Sequence, residues 1–329
     1  MVPEALAVLL LRGAQTSGER PFLGRPRSTH HDRRRTGYRR GAAVCPKGRT
    51  SMKHDLYTDV EESVRESLFG FRRDRKVRGL RVDDHVWQYV SYGAGDRTIL
   101  FLHGMGGAYD IWWQQLEAFA DRFRVVSVTY PDVATLAGLR RGVLAILDAE
   151  RVDRFGVVGT SLGGYFTQYL VDHDADRIDH AVLANTFPPN DVIAAENART
   201  AAIAPYLPER LVMGVFRKRV AEGAVPAAGD SSLVRAYLYE QSYGLMSKAQ
   251  FMARYQCVIE QFDPVELSMP VLIIESDNDP LVSRGLREKL RRTYPNAETH
   301  TFHKTGHFTY LNEPVAYTRV LAEFLERQD

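Results

Sequence analysis

Cysteine is scarce in this chain: Cys45 and Cys257 are the only two among 329 residues. A disulfide framework needs more, as does a Cys-rich metal site, and both are excluded. The composition fits a reducing, cytoplasmic setting. Long apolar runs are missing too, and none approaches the roughly 20 residues that span a bilayer. The apolar stretch nearest the start, Ala5 to Leu11, is short and follows Glu4, where a secretory signal would carry basic residues. No phosphate loop, metal cluster or dinucleotide fingerprint occurs, and "HGMGG" is too short and misplaced to be one. Neither a cofactor nor a bound metal is expected.

What charge there is falls unevenly. The net value is +2, but residues 1–51 hold 11 Lys/Arg against 3 Asp/Glu, and residues 52–329 hold 32 against 38. The stretch "GERPFLGRPRSTHHDRRRTGYRR" is Arg-rich and broken by Gly and Pro, with nothing to bury a core. Residues 1–51 therefore read as a disordered extension; a targeting segment or a nucleic-acid arm is the other reading. The acidic body gives no reason to expect nucleic acid as a partner.

From Met52 onward strand-like and helix-like runs alternate. "TILFLHG", "RFGVVGT" and "MPVLIIES" are short, continuously apolar runs, as for strands buried on both faces of a parallel sheet. "DIWWQQLEAFADRF" has apolar residues at helical spacing, with Asp110 as its expected N-cap. The rhythm breaks between about Phe187 and Gln261, where helical patterns such as "LPERLVMGVFRKRV" stand without a convincing strand. The expectation is an α/β core of residues 52–187 and 263–329, carrying a helical cap of residues 188–262.

One serine sits in a cage of glycines: "GTSLGGYFTQ", Gly159 to Gln168. In G-x-S-x-G the chain leaves a buried strand, turns sharply at the serine and enters a helix at once. The turn brings the residues two positions away close together, so Gly159 and Gly163 stand where a side chain would clash. Ser161 is thereby lifted out as a nucleophile. The helix points its first N–H groups at the reacting centre, and the Leu162 N–H is placed to donate to a developing oxyanion.

The loop "FLHGMGGAYD" resembles the His-Gly loop of the α/β-hydrolases. The resemblance implies an α/β-hydrolase fold: a mostly parallel central sheet with helices on both faces and a helical cap. It also implies that the Met105 N–H completes the oxyanion hole, with His103 and Gly104 shaping the loop. The acid and base then follow the serine in chain order. "ESDNDPLVS" offers Asp279, ahead of Asp277, and Asp191 stands more distant. "HKTGHFTYL" resembles the family's Gly-His loop, which makes His307 the base, touching Ser161 to take its proton, and leaves His300 and His303 on the strand leading in. Met105, Trp112, Trp113 and Phe187 are candidates to line an acyl pocket, with ordinary core as the other reading.

Tyr130-Pro131, "LANTF", "LPERLVMGVFRKR" and "YPNAETHTFHKTGHFTYL" are similar to the maspardin branch, over most of residues 70–312. Animal maspardins typically lack the His-Gly loop and the Gly-His base and are regarded as binding or trafficking proteins. That resemblance brings a protein partner into view. This chain has both elements, which argues for hydrolysis of a small acyl substrate: an ester, thioester or amide. A binding protein on the same scaffold, or C–C hydrolysis or cofactor-free peroxidation by the same triad, are the alternatives. Deleting residues 1–51 is expected to leave a soluble chain of unchanged activity, as checked by expression and assay of residues 52–329.

Overall fold

The short apolar runs form strands with no exposed face. In the computed structural model, which describes residues 56–327, β3 (Thr98–Leu102), β5 (Phe155–Thr160) and β7 (Val271–Ser276) are buried at every position. They run parallel with β4 (Arg124–Thr129), β6 (Ile178–Ala184) and β8 (Glu298–Phe302). Two further strands, β1 (Arg78–Val82) and β2 (His85–Tyr92), join antiparallel. The eight-stranded order is β1-β2-β4-β3-β5-β6-β7-β8. Expectations for the basic tail, Cys45 and Met52 fall outside the described residues.

Successive strand residues point to opposite faces, and each face has its own core. Ile99, Phe101, Val158, Val182 and Leu272 belong to one; Leu100, Leu102, Val157, Leu183 and Ile273 belong to the other. The first face is covered by α1 (Glu62–Asp74), α2 (Trp113–Phe119) and α10 (Pro314–Glu326), through Phe71, Leu116 and Leu321. The second lies under α3 (Leu136–Ala149), α4 (Leu162–Asp174) and α9 (Arg284–Thr293), through Val143, Phe166 and Leu290. Burial on both faces explains why these strands are apolar throughout. The expected mostly parallel sheet with helices on both sides is the observed one.

Between β6 and β7 the described chain is helical: α5 (Val192–Ile203), α6 (Glu209–Arg219), α7 (Ser232–Glu240) and α8 (Lys248–Ile259), with π-helical turns at Val220–Ala224 and Gln241–Leu245. Ser247 and Gln250 start α8 with a reciprocal capping box. Val234 and Leu238 extend the first core, while Cys257 and Val258 extend the second. No helix among the described residues is long and apolar enough to cross a membrane.

One local expectation is corrected. Asp110 does not cap a helix; it lies inside a 3₁₀ turn, Tyr109–Trp112, that precedes α2. Its carboxylate is buried and accepts hydrogen bonds from Arg72 Nε at 2.6 Å and Tyr237 Oη at 2.5 Å. The same Arg72 donates to Glu240 at 2.8 Å, and Glu240 also accepts from Tyr57 Oη at 2.8 Å. A buried carboxylate needs a cation more than a helix end needs a cap. The cluster ties α1, the loop after β3 and α7 together. Arg72→Met strips two buried carboxylates of their cation and is expected to destabilise the fold by about 3 kcal/mol, read from urea unfolding.

Candidate active site

Parallel strands deliver their C-terminal ends to one edge of the sheet, and the candidate residues gather there. Ser161 follows β5 directly and has φ 54° and ψ −119°, a backbone conformation that non-glycine residues rarely adopt. Three hydrogen bonds hold it: its N–H donates to Ala184 O at 2.9 Å, and its carbonyl accepts from Tyr165 N at 2.9 Å and Thr186 Oγ1 at 2.7 Å. The glycines do what the motif requires. A methyl carbon on Gly163 would lie 2.1 Å from Leu102 O, and one on Gly159 would lie 2.3 Å from Gly163 O. Helix α4 can start against the end of β3 only if these positions carry no side chain.

That approach sets Ser161 beside the loop after β3. A methyl carbon on Gly104 would come within 3.0 Å of Ser161 Cβ and 3.6 Å of its Oγ. His103 shapes this loop from within. It is fully buried, and its ring centroid lies 4.0 Å from that of Tyr130. Its Nε2 accepts from Tyr130 N–H at 3.3 Å, so Nδ1 carries the proton and donates to Gly104 O at 2.6 Å. Burial pushes the His103 imidazole well below its usual range, and the nearby Arg254 cation pushes the same way. His103 is thus neutral and committed to the loop, away from the proton transfer.

Gly104 O also accepts from Gly107 N–H at 3.1 Å. In a trans peptide the C=O and N–H point in opposite directions, so these two donors fix the direction of the Met105 N–H. Neither the Met105 nor the Leu162 N–H has an acceptor among the described residues. Met105 is half-buried.

His307 and Asp279 form a buried pair, with Nδ1 at 2.8 Å from Oδ2 and 3.0 Å from Oδ1. Their partners separate the two acids. Asp277 is exposed and bound to His303 at 2.8 Å and to Lys304 N–H at 2.9 Å, so it does not serve His307. Asp279 also accepts from Leu281 N–H at 2.8 Å, Val282 N–H at 3.0 Å and Asn185 Nδ2 at 3.1 Å. Burial alone would raise its proton affinity, but the imidazole and these donors outweigh it and hold the carboxyl below its ordinary value. His300 lies exposed on β8, and Asp191 stands exposed at the start of α5.

Sequence reasoning missed Asn185. It follows β6 with φ 42°, and its Nδ2 reaches both Asp279 and, at 3.5 Å, Gly306 O. Its only signal was an Asn directly after an apolar strand, within the quoted "LANTF". Asn278 was missed as well: its Oδ1 accepts from Gly306 N–H at 2.9 Å, and its Nδ2 donates to Ala227 O of the insertion at 2.7 Å.

Two expectations need correction. Trp112 and Trp113 line no pocket: both are fully buried, Trp112 stacking on Tyr310 at 4.2 Å and Trp113 Nε1 donating to Ser67. Phe187 is likewise core, packed on Tyr165 at 5.2 Å. The two tryptophan rings have no solvent contact with which to meet a diffusing substrate, and Phe187 is only 4% exposed. Further, Ser161 Oγ and His307 Nε2 make no hydrogen bond to each other among the described residues. Neither has a protein partner there, yet neither is shut off from solvent.

Residues 97–314 match the family described as the alpha/beta hydrolase fold. The chain belongs to that family. Within it, the chain is similar to maspardin of Danio rerio, with 26% identity over 254 residues, 73% of this chain and 79% of that protein. It is similar also to a putative carbamate hydrolase, RutD, of Agrobacterium fabrum, at 24% identity over 245 residues, 69% of this chain and 92% of that protein. Among solved structures, the enol-lactonase of Burkholderia xenovorans superposes with a TM-score of 0.65 at 17% identity, covering 76% of this chain and 100% of its own. The last likeness concerns the fold alone.

The buried pair makes this α/β-hydrolase site sensitive to acid. A carboxyl held below its unfolded value, about 3.9, contributes stability in full above about pH 4. That contribution is lost as the pH falls through the lower folded value. Urea unfolding of wild type and Asp279→Asn from pH 7 to pH 2 is expected to show their stability gap narrowing on the acid side. A gap that stays constant would contradict the pairing.

Proposed function

We propose that the protein is a serine hydrolase acting on a carboxylic ester, thioester or amide through a covalent acyl-enzyme. The observation that carries the reading is the buried Asp279–His307 pair at the same sheet edge as the strained Ser161. Asn185 connects the two: its own chain neighbour Ala184 accepts the Ser161 N–H, and its side chain holds Asp279.

The chemistry follows from these positions. Ser161 Oγ attacks the acyl carbon while His307 Nε2 takes its proton. Asp279 holds the ring with Nδ1–H toward itself, leaving Nε2 as the acceptor. The carbonyl oxygen gains charge and is met by the free N–H groups of Met105, in the loop after β3, and of Leu162, at the start of α4. His307 passes the proton to the leaving group, and water then cleaves the acyl-enzyme by the reverse roles. Proton transfer needs Oγ and Nε2 within hydrogen-bond reach. Rotation about one bond re-aims a serine hydroxyl, and catalytic hydrogen bonds of this kind often tighten only with substrate bound. The similarity to a putative carbamate hydrolase supports keeping amide-type carbonyls beside esters in the substrate class.

A second reading, a binding protein on a hydrolase scaffold, is favoured by the missing Ser161–His307 hydrogen bond and by the similarity to maspardin. A fluorophosphonate probe separates the two. Wild type is expected to label and Ser161→Ala not to, with His307→Ala slowing ester turnover by about 10⁶-fold. Intact wild-type protein that neither labels nor turns over any ester favours the binding reading instead.

A further inference from the structure

Arg254, on α8 of the helical insertion, is an unusual cation. It is 1% exposed, and among the described residues it has no carboxylate partner. Its Nη1 donates to Met105 O at 2.7 Å and Gly107 O at 3.0 Å and contacts Met246 Sδ at 3.2 Å. Its Nη2 donates to Tyr130 O at 3.0 Å, and its Nε is buried without a partner. Burying a guanidinium with no counter-ion costs several kcal/mol, which carbonyl dipoles offset only in part. The desolvation shows in the group itself, whose pKa is pulled down to about 10.

What the guanidinium does that an apolar side chain cannot is fix carbonyls. The loop after β3 has two successive peptide units in question. The carbonyl of the first, Gly104–Met105, is held by His103 Nδ1 and Gly107 N–H. The carbonyl of the second, Met105–Gly106, is held by Arg254. With both carbonyls pinned, neither plane can flip, and the Met105 N–H keeps one direction. We infer that Arg254 is a positioning residue for the oxyanion hole, which makes the helical insertion part of the catalytic apparatus. The inference rests on the serine-hydrolase reading and adds to it a side chain that braces the peptide next to the hole's Met105 donor.

The test compares 4-nitrophenyl acetate with 4-nitrophenyl thionoacetate, which differ only in C=O against C=S. A well-set oxyanion hole favours oxygen, since its N–H donors are placed for that atom. In Arg254→Gln and Arg254→Lys, kcat for the acetate is expected to fall about 10- to 100-fold with KM within about twofold. The oxygen-over-sulfur preference is expected to shrink, less so in the lysine variant, which keeps a charge and donors. Should the glutamine variant fail to fold, the lysine variant carries the same comparison. Equal losses for both substrates, or an unchanged kcat in a folded variant, overturn the inference. A wild type that labels with fluorophosphonate while the Arg254 variants behave normally overturns it alone. A wild type inert to probe and both esters overturns it together with the hydrolase reading.

Discussion

At Gly163, the second residue of α4, the helix backbone lies so close to the Leu102 carbonyl that one added carbon would sit 2.1 Å from it. The arrangement of the site depends on that contact. It fixes where α4 begins relative to β3, and hence how far the chain between β5 and α4 must turn. Ser161 is the single residue available for the turn, and its φ of 54° is the result. Such a conformation costs of order 1–3 kcal/mol and persists only where its surroundings enforce it. Here the Ala184, Tyr165 and Thr186 hydrogen bonds occupy both backbone groups of the serine. None of them uses the hydroxyl, which stays free for chemistry.

The sheet and the serine turn were legible because their physics is local. A strand buried on both faces must be apolar throughout, as β3, β5 and β7 are, and a two-residue glycine spacing around a serine has few explanations. His307 was legible for a related reason, since Gly306 with φ 67° marks a turn that few residues other than glycine make easily. The choice of Asp279 over Asp277 was only partly legible. Both are turn carboxylates two residues apart, and the structure separates them by burial and by which histidine each meets. Arg254 was illegible: in "FMARYQ" it reads as the solvent side of a helix, and only the tertiary fold buries it. The same holds for Arg72, whose partners Asp110 and Glu240 lie 38 and 168 residues away. Periodicity carries no trace of such pairings. Trp112 and Trp113 failed in the opposite sense, because bulk and aromaticity suit a core and a pocket equally well.

Three of the ties between the helical insertion and the rest of the described chain land on parts of the site. Glu240 shares Arg72 with Asp110, at the far end of the loop after β3. Arg254 grips Met105 and Gly107 at the near end of the same loop. Ala227 O accepts from Asn278, which in turn holds Gly306 beside His307. The loop that carries Met105 is thus clamped from both ends by the insertion, and the loop that carries His307 leans on it. A segment that breaks the β–α rhythm of the sequence is the one that fixes the two loops on either side of Ser161.

Tyr130 shows how the two halves meet. Its ring packs on His103, its N–H fixes the His103 tautomer, and its carbonyl accepts from Arg254 and from Gln250 at 3.1 Å. One residue at the end of β4 therefore sets the protonation of the loop histidine and anchors the cation from the insertion. The Arg254 charge beside His103 in turn disfavours a second proton on that ring. A doubly protonated His103 would lose its acceptor for Tyr130 N–H, and with it the hydrogen bond that holds the ring against the end of β4. Neutral histidine, buried arginine and the tyrosine backbone thus pack as one unit against the loop that carries Met105.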